Sequence, residues 1–246
     1  MTFKNIPYKQ YKSSFLSIVT LSLKFDANEA LSDAKFVSNL KEYVDSSFSL
    51  HINEADEFNG LTVKSVDGNF TYSFGKTGVG VEILGDGYQN FFNSQDPCLL
   101  RMVDYVKNVV EFEGVKEIAV RKVNKWHFKN NSQKTVSVDE ARDFVFSPEF
   151  LNVLSSDNLS DVERLVDNFE KVEEVVDGKS VSLRTAYLKD SKDANITGLI
   201  LDSVCRQIAE CIKLDDLQNV CKGINKLLFD AFHWCVKQQI ISMMEE

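Results

Sequence analysis

Basic residues recur on one parity of a short, β-prone stretch: Arg121, Lys125, His127 and Lys129 alternate with Ile118, Val120, Trp126 and Phe128. Successive side chains of a strand point to opposite faces, so the basic set shares one face and the apolar set the other. A row of cationic N–H donors is suited to an anion or an acidic partner, since charge-assisted hydrogen bonds are the strong ones. A half-buried strand with one solvated face gives the same pattern. The stripe stands out against an acidic chain, in which 28 Lys and Arg face 37 Asp and Glu for a net charge of -9.

The second position with chemical content is Asp202, which interrupts the apolar run Gly198-Leu-Ile-Leu-Asp-Ser-Val204. A carboxylate placed in such a strand either pairs with a cation, for which Arg121 and Arg184 are the candidates, or takes part in a site. Other constellations are missing their parts. Gly75-Lys76-Thr77 resembles the end of a phosphate-binding loop, but the glycine required five residues before Gly75 is Phe70, so a hairpin turn is expected there. His51, His127 and His233 lack ligand partners at metal-binding spacing, no Cys-x-x-Cys occurs, and no Gly-x-Ser-x-Gly elbow is present. The residues therefore assign no catalytic group, no metal and no cofactor.

Composition bounds the class. The chain has 246 residues, 43% of them hydrophobic, with 18 Phe but only 3 Pro and 11 Gly, which is a globular composition without long flexible linkers. The net negative charge argues against nucleic-acid binding over the whole surface, leaving a local anion or nucleic-acid contact open. The five cysteines, Cys98, Cys205, Cys211, Cys221 and Cys235, are scattered and read as reduced core residues. The first residues lack the apolar core of a signal peptide, and no apolar run approaches the ~20 residues of a membrane span. The expectation is a cytoplasmic protein without membrane contact.

Periodicity supplies the elements. A half-buried strand is expected over Phe15–Phe25, then a helix over Asp33–Phe48 with apolar positions three and four apart. Strands follow at Leu50–Ala55, Leu61–Val66, Phe70–Phe74 and Val79–Leu84, the middle pair joined by the hairpin signal Asp67-Gly68. Asp96-Pro97 opens a second helix with the stripe Leu99, Val103, Val106 and Val110, leading into the basic strand. After a polar loop, Ser147-Pro148-Glu149 starts a short helix. The stretch Asp161–Val176 fits a helix or a strand, with strand favoured because Val181, Leu183, Thr185 and Tyr187 alternate directly after Asp177-Gly178. A last strand over Ile196–Val204 precedes a long helix over Leu214–Met244. Its stripe of Leu217, Cys221, Ile224, Leu228, Phe232, Cys235 and Ile240 is widened by Phe229, Trp234 and Val236, so a sheet or another chain must cover it. These elements predict an α+β fold of antiparallel sheet packed on helices, one globular domain over residues 1–246 with two related β-α-β halves at about 1–95 and 96–246.

Several of these landmarks, in order, resemble a family of sporadically distributed bacterial proteins of unknown function. Val120-Arg121-Lys122-Val123-Asn124-Lys125 is similar to that family's Arg-aromatic-Ile-Asn strand, with Lys122 where an aromatic is usual. Gly78-Val-Gly-Val-Glu-Ile-Leu84, with Tyr88 and Phe91-Phe92 beyond it, resembles the strand before its second helix. Ile200-Leu201-Asp202 resembles its Leu-Asp-Ile-Asp strand, and Phe229-Asp-Ala-Phe-His-Trp234 its closing helix. The resemblance implies no reaction. It singles out Asn124 and Asp202 as structural or functional positions, and the family's patchy distribution resembles that of genes in defence or mobile-element loci.

The function expected from these residues is a non-enzymatic binding or assembly protein, acting with a protein partner or a second copy of itself through Arg121, Lys125, His127 and Lys129. The alternatives are an enzyme directed at nucleotides or nucleic acid, with Asp202 among its carboxylates, and a small-ligand sensor with a pocket between sheet and helix.

Overall fold

The computed structural model describes residues 3–9, 11–12, 14–32, 48–52, 61–85, 88, 91, 98–107, 113–128, 136–155, 163–165, 169–189 and 196–246. The strands are β1 (Leu16–Lys24), β2 (Phe48–Ile52), β3 (Leu61–Ser65), β4 (Phe70–Gly75), β5 (Gly78–Leu84), β6 (Gly114–His127), β7 (Glu163–Leu165), β8 (Phe169–Val176), β9 (Lys179–Lys189) and β10 (Ile196–Lys213). The helices are α1 (Cys98–Lys107), α2 (Val138–Val145), α3 (Pro148–Ser155), α4 (Leu217–Cys235) and α5 (Gln238–Glu245). The fold is α+β, with antiparallel sheet and a long helix near the C-terminus, as the periodicity predicts. The expected helix over residues 33–47 and the Asp96 cap lie outside the described residues, and Phe48, its expected end, opens β2.

The chain forms two compact units. One comprises Ile18–Val120 and Arg206–Lys222; the other comprises Met1–Ser17, Arg121–Cys205 and Gly223–Glu246. In the first, the order β2-β3-β4-β5-β1 continues to the N-terminal part of β6 and the C-terminal part of β10. Its core includes Val19, Leu21, Leu23, Tyr72, Phe74, Val81, Leu99, Met102 and Val106. Alternation along β1, β4 and β5 places the strand members of this set on one side of the sheet. Gly75 pairs directly with Gly78, so Lys76 and Thr77 form the expected two-residue hairpin turn.

In the second unit the order is β6, β10, β9, β8, β7. Strand is thus the outcome for the ambiguous stretch at 163–165 and 169–176. Asp177 and Gly178 both take left-handed backbone angles, φ 49° and 73°, at the tight turn of the β8–β9 hairpin. That is the geometry for which Asp-Gly is favoured. Trp126 on β6 meets Phe146 edge-on, and Phe146 meets Phe150 in turn, so this face of β6 looks toward the α2–α3 junction.

The structure departs from the periodicity at three places. Helix α2 is short, with four charged residues among its eight, and Ser137 and Glu140 cap it reciprocally. The Glu140 N–H donates to Ser137 Oγ (3.2 Å) and the Ser137 N–H to Glu140 Oε2 (3.0 Å). The expected continuous helix Leu214–Met244 is instead a 3₁₀ turn (Leu214–Asp216), α4 and α5, broken at Val236. The break has a physical cause. Val236 and Phe146, each the first residue after a helix in a two-residue break, pair as an antiparallel bridge. The Ser147 N–H donates to the Cys235 carbonyl (2.8 Å) and the Lys237 N–H to the Val145 carbonyl (2.9 Å). Helix-end carbonyls on α2 and α4 thereby find partners in each other's break. Strand β10 also outruns its expected end at Val204: both faces are buried through Cys205, and beyond it the polar Arg206, Gln207 and Glu210 interrupt the apolar run.

The buried Ser147 hydroxyl holds this junction, donating to the Trp234 carbonyl (2.7 Å) and accepting the Phe150 N–H (3.1 Å) as the cap of α3. Ser147→Ala is expected to destabilise the protein by about 2 kcal/mol, combining a lost cap with a stranded buried carbonyl. Phe232, 8% exposed on the buried stripe of α4, should cost about 3–5 kcal/mol as Phe232→Ala. Urea denaturation measures both, and an unchanged midpoint for either would refute the packing described.

Candidate functional site

The sheet face opposite Trp126 gathers the polar residues singled out in the sequence. Asp202, only 9% exposed, receives a bidentate pair of bonds from the neighbouring strand: Arg121 Nε to Oδ1 at 2.8 Å and Nη2 to Oδ2 at 3.0 Å. A planar guanidinium matches a carboxylate in this way, and a lysine would not. Of the two arginines considered as partners, Asp202 therefore takes Arg121. The Arg121 side chain is 48% exposed, against 12% for Asp202, so one end of the pair is wet.

The neighbouring positions follow from alternation. Arg121, Lys125 and His127 are two or four residues apart on β6 and share the face of the ion pair. Lys125 is half-buried and His127 exposed. Lys129 lies outside the described residues. Asn124 is buried, 6% exposed, on the opposite face with Trp126. On β10, a Cβ at Gly198 would lie 3.0 Å from Leu188 Cδ1 and 2.9 Å from the Trp126 carbonyl oxygen, so residues 188 and 198 face the same way. Counting by twos along both strands, Arg184 and Asp202 lie on that face too, as does Ser182.

Two atoms on this face that periodicity did not reveal are Arg184 Nε and Ser182 Oγ. Both are buried and find no hydrogen-bond partner among the described residues. Buried polar atoms are almost always paired, so these two are unsatisfied positions of the fold, as are Trp126 Nε1 and Ser203 Oγ elsewhere among the described residues. Glu173 stands across the β8–β9 ladder from Ser182 and is the acidic counterweight on that edge. The face therefore carries Lys125, His127 and Arg184 around an internally neutralised Arg121–Asp202 pair.

A second cluster forms where Ile6 and Tyr11 meet α4. The Tyr11 hydroxyl is 2.6 Å from His233 Nε2, the Ile6 N–H donates to Asp230 Oδ1 at 3.1 Å, and Lys226 pairs with Asp230 at 2.5 Å. A cleft of ≈ 590 Å³ beside it is lined by Lys4, Ile6, Ser147, Asp230, His233 and Lys237, among others. Burial lowers the pKa of His233 below its ordinary 6.5 against the pull of Asp230, and burial followed by the charge of Glu245 raises that of Tyr11. The cysteines divide: Cys205, Cys221 and Cys235 are buried as expected, whereas Cys211 is exposed. Burial pushes the Cys205 thiol up to about 12, against the opposing charge of Lys179, and holds Cys235 well above its usual value. Neither is a nucleophile at neutral pH.

No family model, curated protein or solved structure matches the chain. The likeness to the sporadically distributed bacterial family thus rests on its short motifs alone. No helix among the described residues is long and apolar enough to cross a membrane.

Removing one partner of the Arg121–Asp202 pair should be asymmetric. Arg121→Ala strands a buried carboxylate and is expected to cost about 2–3 kcal/mol, whereas the half-exposed arginine left by Asp202→Ala can hydrate, so that loss should be smaller. Equal or reversed losses in urea unfolding would contradict the geometry. His233 offers a pH test. Its folded pKa lies below the unfolded value near 6.5, so the unfolded chain takes the proton first as pH falls. Stability from the neutral ring is complete above 6.5 and is lost as pH falls through the lower, folded value. An NMR titration of the His233 ring should give a midpoint below 6.5; a midpoint at or above it would exclude the buried ring.

Proposed function

We propose that the protein is a non-enzymatic binding or assembly protein. Its docking surface is the sheet face bearing Lys125, His127 and Arg184, and its partner presents an acidic protein segment. The observation that carries the reading is the division of charge on that face. Asp202 spends its charge on Arg121 through two hydrogen bonds, so it does not neutralise the other basic groups around it. An incoming carboxylate is a natural acceptor for such groups. The chain's net charge of -9 favours a protein partner over a nucleic acid, whose phosphates would meet repulsion beyond this local face.

The test uses a labelled poly-glutamate peptide and a single-stranded DNA of equal charge, with binding followed by anisotropy. Poly-glutamate should bind more tightly than the DNA and weaken with salt, because exposed charges are screened over ~10 Å at 0.1 M. Lys125→Glu with His127→Glu should reduce poly-glutamate affinity about tenfold or more without changing the melting temperature, since neither side chain belongs to the core. Full affinity in the double variant would sink the reading, and tighter DNA binding would replace the acidic segment with a nucleic acid.

A further inference from the structure

The first residues of the chain form a strap across α4 and α5 whose chemistry differs from that of the rest of the protein. Residues 3–12 carry Lys4, Lys9 and Lys12 with no acidic residue, in a chain whose net charge is -9. The described part of the strap, residues 3–9, 11 and 12, has neither helix nor strand, and none of its residues is buried. The surface beneath contains Phe229 and Asp230, which are buried at 8% and 7% exposure. The strap grips by rings. Phe3 meets Trp234 edge-on at 5.6 Å, Tyr8 lies 5.0 Å from Phe229, and Tyr11 stacks on Phe229 at 6.2 Å and 17°. Its polar contacts are the Ile6 N–H with Asp230, Lys9 with Glu245, the Lys12 N–H with the Met244 carbonyl, and the Tyr11 hydroxyl with His233 Nε2.

The groove thus recognises an extended, basic, aromatic segment, and no side chain of the described segment now in it is fully buried. Tyr8 is 49% exposed on top of Phe229, and both ends of the Lys9–Glu245 pair are wet, at 51% and 44%. The ≈ 590 Å³ cleft, walled by Lys4 and Ile6 of the strap and by Asp230, His233 and Trp234 of the helix, remains between them. Segments with few buried contacts open well below the energy of global unfolding. We infer that this groove is a docking site for an extended segment of a partner protein, one with two aromatic residues spaced like Tyr8 and Tyr11 and a lysine between them, and that the strap is its displaceable resident. The sheet face described above plays no part in this site. An occupant that must compete with a resident strap binds with an affinity reduced by the fraction of time the groove is open.

The probe is a fluorescein-labelled peptide of residues 2–13, added to the full-length protein and followed by anisotropy. A strap-release variant carries Tyr8→Ser, Lys9→Glu and Tyr11→Ser. It should bind the peptide about tenfold or more tightly than the wild type, since the groove is no longer occupied in cis. Adding Glu245→Lys to the release variant should weaken binding, and a peptide with Lys9→Glu should restore it. Lys125→Glu with His127→Glu should leave peptide binding unchanged, which separates this site from the sheet face. Equal affinity for wild type and release variant, or binding indifferent to Glu245→Lys, would overturn the inference. A release variant that has lost its cooperative melting transition would also overturn it, because the strap would then be a structural element.

Discussion

The bidentate pair between Arg121 and Asp202 is the constraint around which the second unit is organised. Asp202 sits in the interior stretch of β10, where both faces are buried, and a bare carboxylate there would be costly. Two hydrogen bonds from the adjacent strand satisfy it and fix the alternation of β6. Trp126 then faces the α2–α3 junction, while Lys125 and His127 face away with the ion pair. Because the guanidinium is half-exposed, the pair also stands at the boundary between core and surface. One interaction thereby sets which side of β6 meets the α2–α3 junction and which carries the ion pair.

On the packed side the organising motif is the reciprocal bridge between Phe146 and Val236. Each residue interrupts a pair of helices, and each break supplies the backbone donor that the other helix end lacks. The bridge positions Trp234 against Phe150, and His233 and Phe229 lie under Tyr11 and Tyr8. The wide stripe on the long helix is consequently divided. Leu228, Phe232 and Cys235 belong to the core, while Phe229 and Trp234, the residues that widen the stripe, meet rings of the chain's own first residues.

Alternation and turn chemistry made most of this legible in the sequence. The parity of Ile118, Val120 and Trp126 against Arg121 and His127 appears directly as buried against exposed positions, and Asp67-Gly68 and Asp177-Gly178 lie at hairpin turns. The pairing of Arg121 with Asp202 was readable because a carboxylate inside an apolar strand demands a cation. What escaped notice depends on contacts between distant residues. A break at Val236 cannot be seen in a continuous helical stripe, because its cause lies at Phe146. Tyr11 has no local signal pointing to His233, 222 positions away. Helix α2 is legible through its capping box Ser137-x-x-Glu140, although at eight residues it spans too few turns for a strong periodic signal.

The central claim, that the sheet face beside the Arg121–Asp202 pair is the presented surface, is tested most directly by hydrogen–deuterium exchange of the full chain with and without saturating poly-glutamate. The account predicts slower exchange confined to residues 121–127 of β6 and 180–188 of β9, with the helices unchanged. Protection appearing only on α4 and α5, or only within residues 18–85, would contradict it.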